Sequence, residues 1–387
     1  MNRAVASDYE RAFADFLGAR HAFAFWKGRV ALYAILRSLG IGEGDEVILP
    51  GYTCVMNVNP IMYLKARPVY VDIDPVTYNL KADLIEKSIT PRTRVIIAQH
   101  TYGYAAPMDE ILAIAARHGL KVVEDCCLAL GSRYKGRFLG TYGIASYFSS
   151  QWNKPYTTGI GGMAITSDDT LAGRIRELIE RERQEPNFKE SIMLRGQLAV
   201  YRAFVYPRTT ALITSVFRWL TRKGLVVGSS DTSEFVPAMT ADFFKGVSGI
   251  QVCAGLRQIR RLERGMAHRR DLADIYTRLL GRKGWTLPAV PADQDPVLVR
   301  FPVRVADKAK ALAAAPSHCV ELGSWFECPL HPIDTPMAAY GYEDGMCPVA
   351  ERACREVVNL PTHPRADHAT AERSVNFIAG IGPAPLS

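Results

Sequence analysis

Residues 94–126 read RVIIAQHTYGYAAPMDEILAIAARHGLKVVEDC, and their reading decides the fold. RVIIAQH (94–100) is a β-rich apolar run, MDEILAIAARHG has helical spacing, and KVVEDC (121–126) is a second β-rich run. Strand, helix, strand in this order means parallel pairing with the helix on one face. The same alternation extends outward in both directions. AFAF (22–25) leads into VALYAILRSLG, EVILP (46–50) into NVNPIMYLKA and PVYVDI (68–73) into LKADLIEKSI, while a loop and ASYFSS follow KVVEDC. The expected fold is α/β, a mostly parallel sheet sandwiched by helices. From residue 248 a long helical pattern, SGIQVCAGLRQIRRLERGMAHRRDLADIYTRLL, leads into TLPAV, LVRFPVRV and a helical CPVAERACREVVNL. These predict a large domain over 1–247 and a smaller C-terminal α+β domain over 248–387.

Composition narrows the function classes. The formal charge of +8 is local, because residues 189–223 hold seven basic side chains and only one acid, Glu190. That argues against a nucleic-acid footprint. The same stretch is rich in aromatic residues, so 189–235 reads as a basic helical insertion packing on its own domain or a partner subunit. A surface for an anionic substrate is one alternative, and a membrane-surface contact through 189–223 is a lesser one. The N-terminal MNRAVASDYERAFADFLGAR lacks the apolar core of a secretion signal, which predicts a cytoplasmic protein. Eight cysteines without a repeated Cys-x-x-Cys spacing predict reduced thiols and no metal site.

In a parallel sheet, ligands bind beyond the carboxyl ends of the strands. Asp125 ends one predicted strand, where a carboxylate needs a partner. Lys154, in SSQWNKPYTTGIGGMAIT (149–166), falls at the same mouth. A lysine is usually a solvated surface charge, and an aspartate at a strand end is often a helix cap. Together they match what pyridoxal phosphate requires: a lysine to carry the cofactor as a Schiff base and an acid to keep the pyridine nitrogen protonated. A phosphate cradle is available where Gly28 and Arg29 open a helix and Ser149 lies close to the lysine.

ARPVYVDIDPVTYNL, AQHTYG, PMDEILAIAARHGLKVVEDC, GSRYKGRFLGTYGIASYFSS, TTGIGGMAIT and CPVAERACREVVNLPTHP occur in an order that resembles the DegT/StrS family of PLP-dependent sugar aminotransferases. The resemblance implies PLP-dependent transferase fold type I and a homodimer with composite sites. It implies Lys154 as the cofactor lysine, Asp125 as the partner of the pyridine nitrogen, and Ser149 with Gly28 as phosphate contacts. It also implies transfer of an amino group from an amino acid, plausibly glutamate, to a keto sugar, nucleotide-linked in the preferred reading. The alternative is a PLP enzyme of the same fold acting on a non-sugar carbonyl or amino acid.

The departures from the family pattern bear mostly on recognition. Lys27-Gly28-Arg29 stands where the family has Ser-Gly-Thr, so the Arg29 guanidinium replaces a hydroxyl at the phosphate. Thr53-Cys54 replaces the pair that carries the ring-stacking aromatic, leaving Cys54 or Tyr52 to cover the ring. Leu128 stands for a glutamine, Gln151 for a histidine close to the cofactor, and FFKGVSGIQ (243–251) has no Asn-x-Arg segment. Tyr52, Tyr102 and His331 are the candidates for substrate contact.

Overall fold

The computed structural model describes residues 3–152, 154–204, 216, 228, 232–332 and 335–384. The alternating pattern folds into a seven-stranded sheet. Its order is His21–Phe25, Gly162–Thr166, Ala145–Ser149, Lys121–Asp125, Thr93–Gln99, Glu46–Pro50 and Arg67–Val71. The last five are mutually parallel, and only Gly162–Thr166 runs antiparallel to both of its neighbours. Helices cover both faces, so central strands such as Glu46–Pro50 are buried throughout and read as continuous apolar runs. The helix Gly28–Ser38 is buried on nearly every side, packing against the sheet and the helices Val55–Tyr63 and Asp169–Glu182.

The helical pattern expected as one element from residue 248 is two helices. Ser248 and Gln251 form a reciprocal capping box that starts Gly249–Ile259, the chain turns at Arg260 and Arg261, and Leu262–Arg282 follows. The first of these packs on the large unit, because the missing side chain at Gly255 leaves room for the Tyr9 ring of the helix Arg3–Leu17. The expected helix CPVAERACREVVNL also divides. Pro348–Glu356 is helical, whereas Val357–Pro361 is a fully buried strand paired antiparallel with Arg300–Arg304. A short apolar run fits either element by periodicity, and the pairing with Arg300–Arg304 decides it.

The predicted insertion at 189–235 can be followed as the helix Phe188–Phe204 and again from residue 232. Residues 205–215, 217–227 and 229–231 lie outside the described residues, and so does most of the basic, aromatic stretch considered for a membrane surface. Among the described residues no helix is long and apolar enough to cross a membrane.

One buried carboxylate makes stability depend on pH. Burial pushes Glu10 up to about 7, against the backbone N–H of Ala24 donating to it and the charges of Arg183 and Arg176. A folded pKa above the unfolded one favours the protonated form. This contribution is therefore present below about pH 4.5 and lost as the pH rises through about 7. Glu10→Gln should leave stability unchanged near pH 4.5 and raise it by about 1–3 kcal/mol at pH 8. Thermal unfolding at the two pH values tests this, and an equal effect at both would refute it.

Candidate active site

Asp125 closes the strand Lys121–Asp125 with its side chain 3% exposed. Asn57 Nδ2 donates to Oδ2 at 2.7 Å, and the backbone N–H of Cys127 donates to Oδ1 at 2.9 Å. Asn57 is itself oriented through Thr53 Oγ1, which donates to Gln99 Oε1 at 2.6 Å. Successive side chains of a strand alternate faces, so the preceding Glu124 points the other way. It accepts from His100 and from the backbone of Gly140, Tyr142 and Gly143. His100, Glu124 and Cys126 lie close enough together to suggest a metal cluster. The other His100 nitrogen already accepts from Ala106 N, so hydrogen bonds account for this group as a structural lock.

Lys154 sits in the connection between Ala145–Ser149 and Gly162–Thr166. Backbone bonds between Ser150 and Gly161 and between Trp152 and Gly159 narrow that connection into a hairpin. Gly159 has φ +87°, and a side chain at Gly161 would overlap Ser150 and Thr158, which explains the glycine-rich sequence after the lysine. Lys154 Nζ lies 4.6 Å from the centre of the Trp325 ring. Burial lowers its pKa and Arg300 adds to the effect, while Cys127, Asp125 and Cys54 oppose it. A lysine with a lowered pKa is closer to the neutral, nucleophilic form.

The phosphate-loop residues converge. A Cβ added at Gly28 would come 3.2 Å from Ser149 Cβ, so the start of the helix Gly28–Ser38 and the Ser149 hydroxyl share one place. Gln151 belongs to the same turn, its N–H donating to Ser149 Oγ and its carbonyl accepting from Lys154 N. Cys54 precedes the helix Val55–Tyr63 and is half-buried. Burial raises its thiol, and the charges of Arg29 and Lys154 partly offset this. Arg29 is buried, with Nη1 2.6 Å from Glu234 Oε2, and Lys27 Nζ reaches the same carboxylate at 3.1 Å. The partner is therefore Glu234, near the end of the predicted insertion. Asp72 instead accepts from Val349 N and Ala350 N, and Asp74 caps its own turn.

Two of the three substrate candidates stand elsewhere. Tyr52 and Tyr102 are fully buried, their hydroxyls 2.8 Å apart, and Tyr102 also donates to the Trp325 carbonyl. Paired hydroxyls and rings packed on Phe326 and Tyr78 leave them no surface for a ligand, so they support the site from behind. Of the two residues considered for covering the ring, Cys54 is half-buried and Tyr52 fully buried. His331 stands beside Cys54, because Leu330–His331 pairs parallel with Thr53–Cys54.

Sequence reasoning missed Trp325 and Arg300. The Arg300 guanidinium lies 5.2 Å from the centre of the same indole that Lys154 approaches. Lys308 holds this loop. Its buried ammonium donates to the carbonyls of Ser324 at 3.3 Å, Phe326 at 2.8 Å and Cys354 at 2.7 Å. Asn359 Oδ1 accepts from Trp325 N at 2.8 Å. A lone aromatic and an arginine in a strand carry no sequence signal for such a meeting.

These residues fit pyridoxal phosphate. Asp125 is a buried carboxylate that makes no ion pair among the described residues, an arrangement that a protonated ring nitrogen completes. The buried Tyr147 hydroxyl lies beside Asp125, whose charge helps raise its pKa. The helix start at Gly28 beside Ser149 suits a phosphate.

Comparisons with known proteins identify the family. The sequence model of the DegT/DnrJ/EryC1/StrS aminotransferase family matches residues 4–196 and 219–379. The chain is 33% identical over 376 residues to GDP-perosamine synthase of Caulobacter vibrioides, covering 95% of this chain and 87% of that protein. It is 30% identical over 367 residues to UDP-2-acetamido-2-deoxy-3-oxo-D-glucuronate aminotransferase of Pseudomonas aeruginosa, covering 94% and 87%. Among solved structures, DesV of S. venezuelae superposes with a TM-score of 0.75 at 26% identity, covering 97% of this chain and 88% of that one.

Proposed function

The chain belongs to the DegT/DnrJ/EryC1/StrS aminotransferase family and is a pyridoxal-phosphate-dependent transaminase; from that premise we propose that it aminates a nucleotide-linked keto sugar at the expense of an amino acid such as glutamate. The observation that carries the chemistry is the meeting of Lys154 with an ion-pair-free, buried Asp125 at the carboxyl end of the sheet. The sugar class is supported by two relatives that align over nearly the whole chain, both named for a GDP- or UDP-linked sugar.

Bound pyridoxal phosphate supplies an electrophilic carbon to receive the amine and a ring that takes up electrons. Asp125 holds the proton on the ring nitrogen, its own charge steadied by Asn57 and the Cys127 N–H. Lys154 carries protons to and from the reacting carbon with Nζ. Gly28 and Ser149 would hold the phosphate, with Arg29 as a further cation at the same helix start, and Trp325 covers Lys154. The test is donor and acceptor in turn. L-glutamate should discharge the visible absorbance of the holoenzyme, and a keto-sugar nucleotide should restore it with formation of the amino sugar. Restoration only by carbonyl compounds that are not sugars would refute the sugar assignment.

Arg29 gives a separate expectation. Arg29→Thr removes a charged donor near the phosphate and should weaken cofactor binding roughly 10- to 100-fold, with lysine recovering part of the loss. Equilibrium dialysis of pyridoxal phosphate measures it. Unchanged affinity would confine Arg29 to its pair with Glu234.

We also propose that the protein is a homodimer working in the cytoplasm. The exposed Phe188, Ile192, Val200 and Phe204 on the helix Phe188–Phe204 offer apolar surface for a second copy. All eight cysteines being free thiols is consistent with a reducing compartment. Light scattering that gives the mass of a monomer at micromolar concentration would count against the dimer.

A further inference from the structure

An amino-acid donor brings to this cleft something a keto sugar lacks, a carboxylate beside the reacting amine. A carboxylate entering a shielded site needs a charged, hydrogen-bonding partner. The cationic side chains around Lys154 can be taken one by one. Arg269 is 1% exposed, and its Nη1 donates to Val299 O at 2.9 Å and Thr362 Oγ1 at 2.7 Å. Arg365 donates to the carbonyls of Tyr201 at 3.1 Å and Arg202 at 3.0 Å. Arg29 and Lys27 face Glu234, and Lys308 is engaged by three carbonyls.

What sets Arg300 apart is its partial exposure and its place over the Trp325 ring. Its side chain is 12% exposed, and its Nε, like that of Arg269, is buried without a hydrogen-bond partner among the described residues. The carboxylate near it, Glu321, is 4.0 Å away and already accepts from His363 Nε2 at 3.0 Å. Room for the guanidinium comes from Gly323, where a Cβ would come 2.7 Å from Arg300 Nη1. The Trp325 ring, against which Lys154 Nζ also lies, gives the guanidinium a flat face to rest on.

We infer that Arg300 is the specificity residue for the amino donor, binding its α-carboxylate while the donor amine faces the Lys154 end of the same indole. The inference rests on the transaminase reading above. The keto sugar, lacking a carboxylate beside its reacting carbon, does not require this contact.

The experiment uses the holoenzyme with succinate as an unreactive carboxylate probe, measured by calorimetry, and with L-glutamate, measured by discharge of the cofactor absorbance. Arg300→Met should weaken both by roughly 10- to 100-fold and shift the acceptor KM by no more than about threefold. Arg300→Lys retains the charge without the planar fork and should fall between the two, which keeps the test decisive if the methionine variant folds poorly. Failure of the wild type to bind succinate, or equal succinate binding by all three proteins, overturns the assignment. A larger change in acceptor KM than in the donor response overturns it as well, by giving Arg300 to the sugar. Succinate binding that depends on Arg300 in a wild type that no amino acid converts would overturn the transaminase reading instead, leaving the anion site intact.

Discussion

Lys154→Ala should abolish amino transfer, lowering turnover by roughly 10^4-fold or more, because one side chain both anchors the cofactor and moves the proton. Borohydride reduction of the wild type should fix the cofactor to the peptide that contains Lys154, and the variant should yield no fixed cofactor. The structure makes the assignment selective. Among the other shielded lysines, Lys245 is paired with Glu190 at 2.9 Å and with Asp242, Lys308 donates to three carbonyls, and Lys27 faces Glu234. Lys308 is buried with a pKa lowered to about 8 as well, but its ammonium is spent on three carbonyls, whereas the half-buried Lys154 has a lowered pKa and feels the Asp125 carboxylate. The variant should retain weak cofactor binding through Gly28 and Ser149, visible in dialysis. A reduced adduct on Lys245 or Lys308 would sink the assignment.

Asp125→Asn should be the second most damaging change, slowing turnover by roughly 10^3-fold and weakening cofactor binding about 10- to 100-fold. The substitution removes the charge that holds a proton on the ring nitrogen. It also spoils the local bonding: the new amide can accept from Cys127 N through its oxygen, but its NH2 then faces the donating Asn57 Nδ2, which lies 2.7 Å from Oδ2 in the wild type. Two opposed donors in a buried place cost about 1–3 kcal/mol. The Asn57→Ala variant separates the two effects, since it keeps the charge and removes the donor. Single-turnover rates with L-glutamate measure both. Full activity in Asp125→Asn would remove the electrostatic role.

The elements that were legible share a property: their signal is local. Strand and helix alternation from residue 21 to 125 follows from apolar spacing over short windows, and the structure places those strands within a residue or two of the pattern. The placement of Asp125 and Lys154 was legible because one ends a strand and the other lies in a marked turn, and they are proposed as a pair because an acid and a lysine at one sheet mouth have few chemical uses together. Where two elements share an apolar pattern, local reading failed. Val357–Pro361 could not be told from a continuation of its helix until Arg300–Arg304 paired with it, and Tyr52 and Tyr102 look like site residues by position although their hydroxyls are engaged with each other in the core.

Recognition was decided by the tertiary structure. Arg29 meets Glu234 across 205 positions of chain, and Lys154 and Arg300 meet over one indole, Trp325, that belongs to neither of their elements. No periodicity links such residues, because their proximity depends on how elements far apart in the chain pack together. The sequence by itself determined the sheet and put Asp125 and Lys154 forward as a pair, since backbone propensity and apolar spacing act within a few residues. Which cation faces that pair was decided only by packing, since an arginine's role depends on which acceptors the fold leaves beside it.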